Sequence, residues 1–186
     1  YSNVYMGEIQ GQSLGIDVDV FTNEGKSVKD GEKGELVVKK PFPSMPVKFW
    51  GDDEGQKYYK AYFNRFENIW HHGDFIERTM NNGFIMRGRS DATLNPGGVR
   101  IGTSEIYQQV EDIDFITEGL VVGQDYNDDV RIVLFITTKN NEELDDEKIK
   151  TIKSKIRKNC SPKHVPSLII KVPEIPRTKS GKIVEL

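Results

Sequence analysis

The sequence predicts an α+β fold in two parts: a small, distorted β-barrel-like subdomain over residues 1–90, then a compact α+β domain with a three-stranded sheet over 91–186. Two observations carry this. Short period-two apolar patterns and turn residues fill the first half, whereas helical periodicity alternates with apolar runs after Asp91. A third, the Asn95-Pro96-Gly97-Gly98 turn, stands just past that change of pattern.

The first strand is read from Leu14, Ile16, Val18 and Val20, which alternate with Gly15, Asp17 and Asp19. Asn23-Glu24-Gly25-Lys26 supplies a turn, and residues 34–39 form the next strand. Pro41, Pro43 and Pro46 then interrupt regular structure. An aromatic, charged stretch over 50–66 holds a short helix. Residues 69–76 and 84–87 read as strands joined through Asn82-Gly83, a pair suited to positive φ.

In the second half, Pro96 presets φ at the second position of a type II turn and Gly97 accepts positive φ at the third. Thr103 or Ser104 is the expected cap of a helix that turns Ile106, Val110 and Ile113 inward. Residues 120–123 and 130–137 read as strands, the second nearly continuous in apolar residues and so central. Asp145 caps a further helix with Ile149, Ile152 and Ile156 facing the core, and residues 165–172 give the third strand.

Composition narrows the function. The chain has 186 residues, 26 Lys/Arg against 29 Asp/Glu and a net charge of −3, which gives no support to coating nucleic acid or a membrane surface. No apolar run approaches the roughly 20 residues a bilayer needs, and no basic, apolar leader opens the sequence. The single cysteine, Cys160, forms no internal disulfide and fits a reducing, cytoplasmic setting. Charge is uneven, however. Eleven Lys/Arg against five Asp/Glu lie from residue 145 onward, which points to an anionic ligand met late in the chain, beside an ordinary solvated helix face.

Phosphate-loop, dinucleotide, zinc-protease and nucleophile-elbow motifs are absent. His71 and His72 are adjacent on a strand and point to opposite faces, so they do not converge on a metal. Three other segments are more specific in combination. They are Trp70-His71-His72-Gly73-Asp74; Gly88-Arg89-Ser90-Asp91 with the run from Asn95 through Gly98, Arg100 and Glu105; and Pro176-Arg177-Thr178-Lys179-Ser180-Gly181-Lys182.

With these motifs in order, the chain resembles the adenylate-forming superfamily of acyl-CoA synthetases, luciferases and peptide-synthetase adenylation domains. Phe49-Trp50-Gly51-Asp52, Lys60-Ala61-Tyr62-Phe63 and His164-Val165-Pro166-Ser167-Leu168-Ile169 resemble its acetoacetyl-CoA synthetase family in particular. The resemblance implies an acid–CoA ligase that uses acetoacetate, ATP with Mg2+, and CoA. It also implies a larger N-terminal domain, bearing the phosphate loop and acid pocket, without which this segment is inactive. An acetyl- or longer-chain acyl-CoA synthetase stays open beside it, as does a non-catalytic module that binds a nucleotide or a partner.

The same resemblance assigns residues. Asp74 would accept bonds from the ribose hydroxyls, as acidic residues do in dinucleotide sites, and Arg89 would offer its planar fork to ribose or phosphate. Arg100 would meet phosphates, and Gly98 would lie along the pantetheine of CoA. Asp91 would be the hinge of a mobile lid. Glu105 would act near the junction through the helix N-terminus. Lys182 would be the catalytic lysine of adenylate formation, a mobile point charge for the α-phosphate.

Overall fold

A computed structural model describes residues 2–185. It divides into two compact units, Tyr1–Asp91 and Ala92–Leu186, each with its own sheet.

The first unit is an antiparallel sheet in the order β1-β2-β3-β4, formed by β1 (Val18–Phe21), β2 (Lys33–Val38), β3 (Trp70–Arg78) and β4 (Phe84–Arg89). Among the described residues β1 and β4 lie on opposite edges and do not pair, so the barrel-like part is an open, four-stranded meander. β1 is also shorter than the alternation predicts. Gly15 has φ 80 and Leu14 is fully exposed, so the extended, half-buried run starts only at Val18. Val20, Val28 and Ile76 form the core beneath it.

Between β2 and β3 the chain makes a long excursion that includes α1 (Gln56–Tyr62). None of the α1 residues is fully buried. The Asp52 carboxylate accepts from the Lys57 and Tyr58 amides at 3.1 and 2.8 Å, filling orphan donors of the first turn. Tyr62 stacks on Trp70 of β3 with ring centroids 3.7 Å apart, and Tyr58 packs edge-on to Phe49. Aromatic contacts thus seat a helix that is too short to persist alone.

The second unit holds α2 (Thr103–Val110), β5 (Ile116–Tyr126), β6 (Asp129–Thr138), α3 (Asp146–Asn159) and β7 (Leu168–Lys171). Its sheet runs β5-β6-β7, so the apolar β6 is central. β5 pairs with it antiparallel and β7 parallel, the latter after the crossover through α3. Ile106 and Val110 of α2, Ile152 and Ile156 of α3, and Ile132, Leu134 and Ile136 of β6 make one buried cluster. Ile149 is only half-buried, at the edge of that face. Asp145 caps α3 by accepting from the Lys148 amide at 2.8 Å. The cap of α2 differs from expectation. Gly102 is the N-cap, Thr103 is buried inside the first turn, and the Glu105 carboxylate reaches back to the Gly102 amide at 3.0 Å.

Among the described residues no helix is long and apolar enough to cross a membrane, and no group of three His, Cys, Asp or Glu is placed to hold a metal ion.

Candidate functional site

In the first unit the ends of β3 and β4 frame an open cavity of about 590 Å³, lined in part by Tyr62, Arg65, Trp70, Gly73, Arg89 and Asp91. Asp74 and Arg89 are direct cross-strand partners, and a register shift between Phe75 and Ile76 interrupts the regular pairing beside them. One guanidinium serves two carboxylates. Arg89 Nε and Nη2 reach the two oxygens of Asp91 at 3.3 and 3.4 Å, and Nη1 reaches Asp74 Oδ1 at 3.4 Å. The Asp91 bonds first, and then the charge of Asp74, raise the Arg89 pKa above its ordinary value. His72 Nε2 lies 3.4 Å from Asp74 Oδ2.

Behind this cavity lies a residue that the motifs do not single out. Glu35 of β2 has no solvent exposure. Its carboxylate meets His71 Nε2 at 2.8 Å, Arg65 Nη2 at 3.1 Å and the Ser90 hydroxyl. His71 and His72 therefore serve different partners, Glu35 and Asp74. The available signal was an acidic residue inside Gly34-Glu35-Leu36-Val37-Val38, on the same side of the strand as Val37.

In the second unit Gly98 and Arg100 share a loop closed by the Leu94–Ile101 bridge. The Gly98 amide donates to the Asn95 carbonyl at 3.2 Å across Gly97, whose φ is 57, as the turn chemistry requires. The Gly97 amide donates to Asp129 Oδ1 at 2.8 Å. That bond, followed by one from the Val130 amide, holds the Asp129 carboxyl below the usual carboxylate range. A Cβ built on Gly98 would meet nothing within 4 Å, so its face is open. Arg100 Nε donates to Thr93 Oγ1 at 3.1 Å. Glu105, besides capping α2, lies 3.5 Å from His164 Nε2.

Lys182 stands on a separate turn. Arg177 and Ile183 bridge antiparallel, and the Thr178 amide donates to the Lys182 carbonyl at 2.8 Å. Gly181, with φ 84, makes the reversal just before Lys182. The residue is exposed, and its ammonium group makes no hydrogen bond or ion pair with the described residues. Arg177 holds the turn, with Nη1 donating to the Gly181 carbonyl at 2.7 Å and Nη2 paired with Glu118 of β5. The structure thus gathers Asp74 and Asp91 on Arg89, which lines the cavity with Asp91, puts Gly98 and Arg100 on one loop, and leaves Lys182 on another.

No family model matches the chain. Individual proteins do. It is 60% identical over 183 residues to the acetoacetyl-coenzyme A synthetase of Rhizobium meliloti (strain 1021), covering 98% of this chain and 28% of that protein. To the acetoacetyl-CoA synthetase of Gallus gallus it is 46% identical over 186 residues, covering 98% and 28%. The solved acetoacetyl-CoA synthetase from Streptomyces lividans superposes with TM-score 0.91 at 42% identity, over 98% of this chain and 27% of that one. A benzoate CoA ligase from Burkholderia xenovorans LB400 follows at TM-score 0.80 and 26% identity, over 97% and 35%. The chain spans about 28% of the length of these two curated relatives.

Proposed function

From its homology to the acetoacetyl-CoA synthetases, within the adenylate-forming ligases, we infer that this chain is the C-terminal part of an acetoacetate–CoA ligase. The observation that carries the reading is 60% identity to such a synthetase across 98% of the chain. Two features of the structure support it: Arg89, paired with Asp74, lines an open cavity, and the Lys182 ammonium on an exposed turn meets no partner among the described residues.

The reaction has two steps. A carboxylate oxygen of acetoacetate attacks the α-phosphorus of ATP, the bond to the bridging oxygen breaks, and diphosphate leaves. The CoA sulfur, its proton lost, then attacks the acyl carbon and AMP departs, leaving acetoacetyl-CoA. Mg2+ enters as the counter-ion of the ATP substrate, and the setting is cytoplasmic.

Asp74 accepts from the ribose hydroxyls, and Arg89 and Arg100 meet ribose or phosphate oxygens with planar forks of donors. Lys182 places its charge on the α-phosphate, where negative charge grows in the first step. Gly98, with no side chain in the way, lies along the pantetheine arm in the second. Asp91, the last residue of the first unit, is the hinge about which residues 92–186 rotate between the steps, as a lid.

The test is ATP–pyrophosphate exchange by the complete ligase polypeptide with acetoacetate, acetate and longer acids. Acetoacetate should give the highest kcat/KM. A higher value for another acid overturns the substrate assignment, and no exchange with any acid overturns the ligase reading. The 186-residue chain alone should form no AMP above background.

A further inference from the structure

We propose that Arg177 is a positioning residue for Lys182, acting with Glu118 as a clamp that fixes the base of the lysine's stem during adenylation. The proposal rests on the adenylating role inferred for Lys182.

The tip of the turn, residues 178–182, is exposed throughout. Apart from one contact with Arg177, its hydrogen bonds among the described residues are internal. Thr178 N donates to the Lys182 carbonyl at 2.8 Å, the Gly181 amide to the Thr178 carbonyl at 2.9 Å, and the Lys182 amide to Thr178 Oγ1 at 3.2 Å. Such a tip keeps its own shape yet can swing as a body. Among the described residues its polar link to the sheet is the Arg177 guanidinium. One nitrogen takes the Gly181 carbonyl, in the peptide that leads into Lys182, and another pairs with Glu118 on β5. The planar fork suits this double duty, and a lysine ammonium does not reproduce it.

As a surface ion pair the contact adds little stability, since Arg177 and Glu118 are 41% and 36% exposed on their side chains. Its value is geometric. Lys182 carries its charge at the end of four flexible carbons, so aim depends on where its backbone is held. A misplacement of about 1 Å costs on the order of 100-fold in a positioned reaction.

The experiment compares both half-reactions in the complete ligase. Arg177→Ala should slow pyrophosphate exchange about tenfold, part of that positional loss, with the change in kcat rather than in KM for ATP. Thioester formation from preformed acyl-adenylate should stay within about twofold, well short of the loss that misplacement brings. Arg177→Lys should fall between the two, and Glu118→Gln should slow exchange in the same sense without touching the Gly181 contact. The exchanged pair, Arg177→Glu with Glu118→Arg, should stay at least as slow as Arg177→Ala, because a carboxylate at 177 cannot donate to the Gly181 carbonyl. Equal slowing of both half-reactions by Arg177→Ala, or unchanged exchange in both Arg177→Ala and Glu118→Gln, overturns the clamp. If Arg177→Ala does not fold, Glu118→Gln and Arg177→Lys decide by the same criterion. Lys182→Ala runs alongside: exchange indifferent to it overturns the role of Lys182 itself, whereas exchange that needs Lys182 but not Arg177 overturns the clamp alone.

Discussion

Replacing Glu35 with alanine removes the acceptor at the centre of the first unit. The carboxylate is wholly buried and faces Arg65 at 3.1 Å, His71 at 2.8 Å and the Ser90 hydroxyl. Breaking a buried ion pair by deleting one partner costs about 3–5 kcal/mol, because the other charge is left without compensation. Arg65 is 36% exposed on its side chain and can turn toward water, which places the cost near the lower end, at about 3 kcal/mol. Against a typical domain stability of about 5–15 kcal/mol that is a large fraction. Glu35→Gln keeps the volume and one acceptor oxygen, and should cost only about 1–2 kcal/mol.

Urea unfolding of the chain reads this directly. Both tryptophans, Trp50 and Trp70, lie in the first unit, and Trp70 is buried against Tyr62. Tryptophan emission therefore reports this unit, while far-UV ellipticity is dominated by α2 and α3 of the second. With a slope of about 1–2 kcal/mol per molar urea for a unit this small, Glu35→Ala should move the emission midpoint down by roughly 1.5–3 M and leave the helical signal in place. A shift under about 0.5 M, worth less than one ordinary hydrogen bond, would refute the reasoning. So would equal movement of both signals.

In the complete ligase Lys182→Ala should slow adenylate formation by ~10²–10³, the usual loss of one transition-state donor, while thioester formation from acyl-adenylate survives; equal loss in both contradicts that division. Asp91→Pro locks φ near −65° and should keep adenylate formation but lose transfer to CoA; Asp91→Ala is the control for the lost Arg89 contact, and normal transfer in the proline variant places the pivot elsewhere. Acid should weaken the first unit through Asp19. Burial opposes its charge, but the Ser27 hydroxyl, the Val20 amide, Lys39 and Arg78 outweigh it and hold its pKa below the ordinary value. A depressed folded pKa means stability present above about pH 4 and lost as pH falls through the lower folded value. Asp19→Asn should flatten the decline of the emission midpoint below pH 4, and an unchanged profile counts against it.

The second unit was the more legible half because its signals are long-range in period. Ile106 and Val110 recur at helical spacing and are buried in α2, while Ile113, predicted on the same helix, is buried just past its end, and the apolar run of β6 announces a strand covered on both edges. The first unit misled where period two outran the real strand. Leu14 and Ile16 keep the alternation, yet Gly15 takes a left-handed φ that no strand accommodates, and alternation alone does not reveal it. That the sheet stays open rather than barrel-like was likewise invisible, since edge pairing depends on where loops carry the strands, not on their composition. The α2 cap escaped for a local reason. Two good capping residues follow Gly102, but Thr103 is needed inside the fold and the Glu105 side chain does the capping instead.

For the candidate site the sequence supplied residue types in series, and it could not supply their pairings. Asp74, Arg89 and Asp91 read as three independent roles, ribose acceptor, donor fork and hinge. Folding puts both carboxylates on the same guanidinium. This matters for how a nucleotide would enter. The contacts are 3.3–3.4 Å long, and the Arg89 and Asp91 side chains are about half exposed. Solvent screening leaves such pairs worth about 0–1 kcal/mol each. On the proposed reading, a ribose arriving at Asp74 would therefore displace little and would free an Arg89 donor. Asp91, the better-bonded partner, is also the last residue of its unit. On the proposed reading, a rotation about the φ bond of Asp91 swings its carboxylate and so changes the bonds of Arg89 in the same motion, which couples nucleotide contact and lid position through a single side chain.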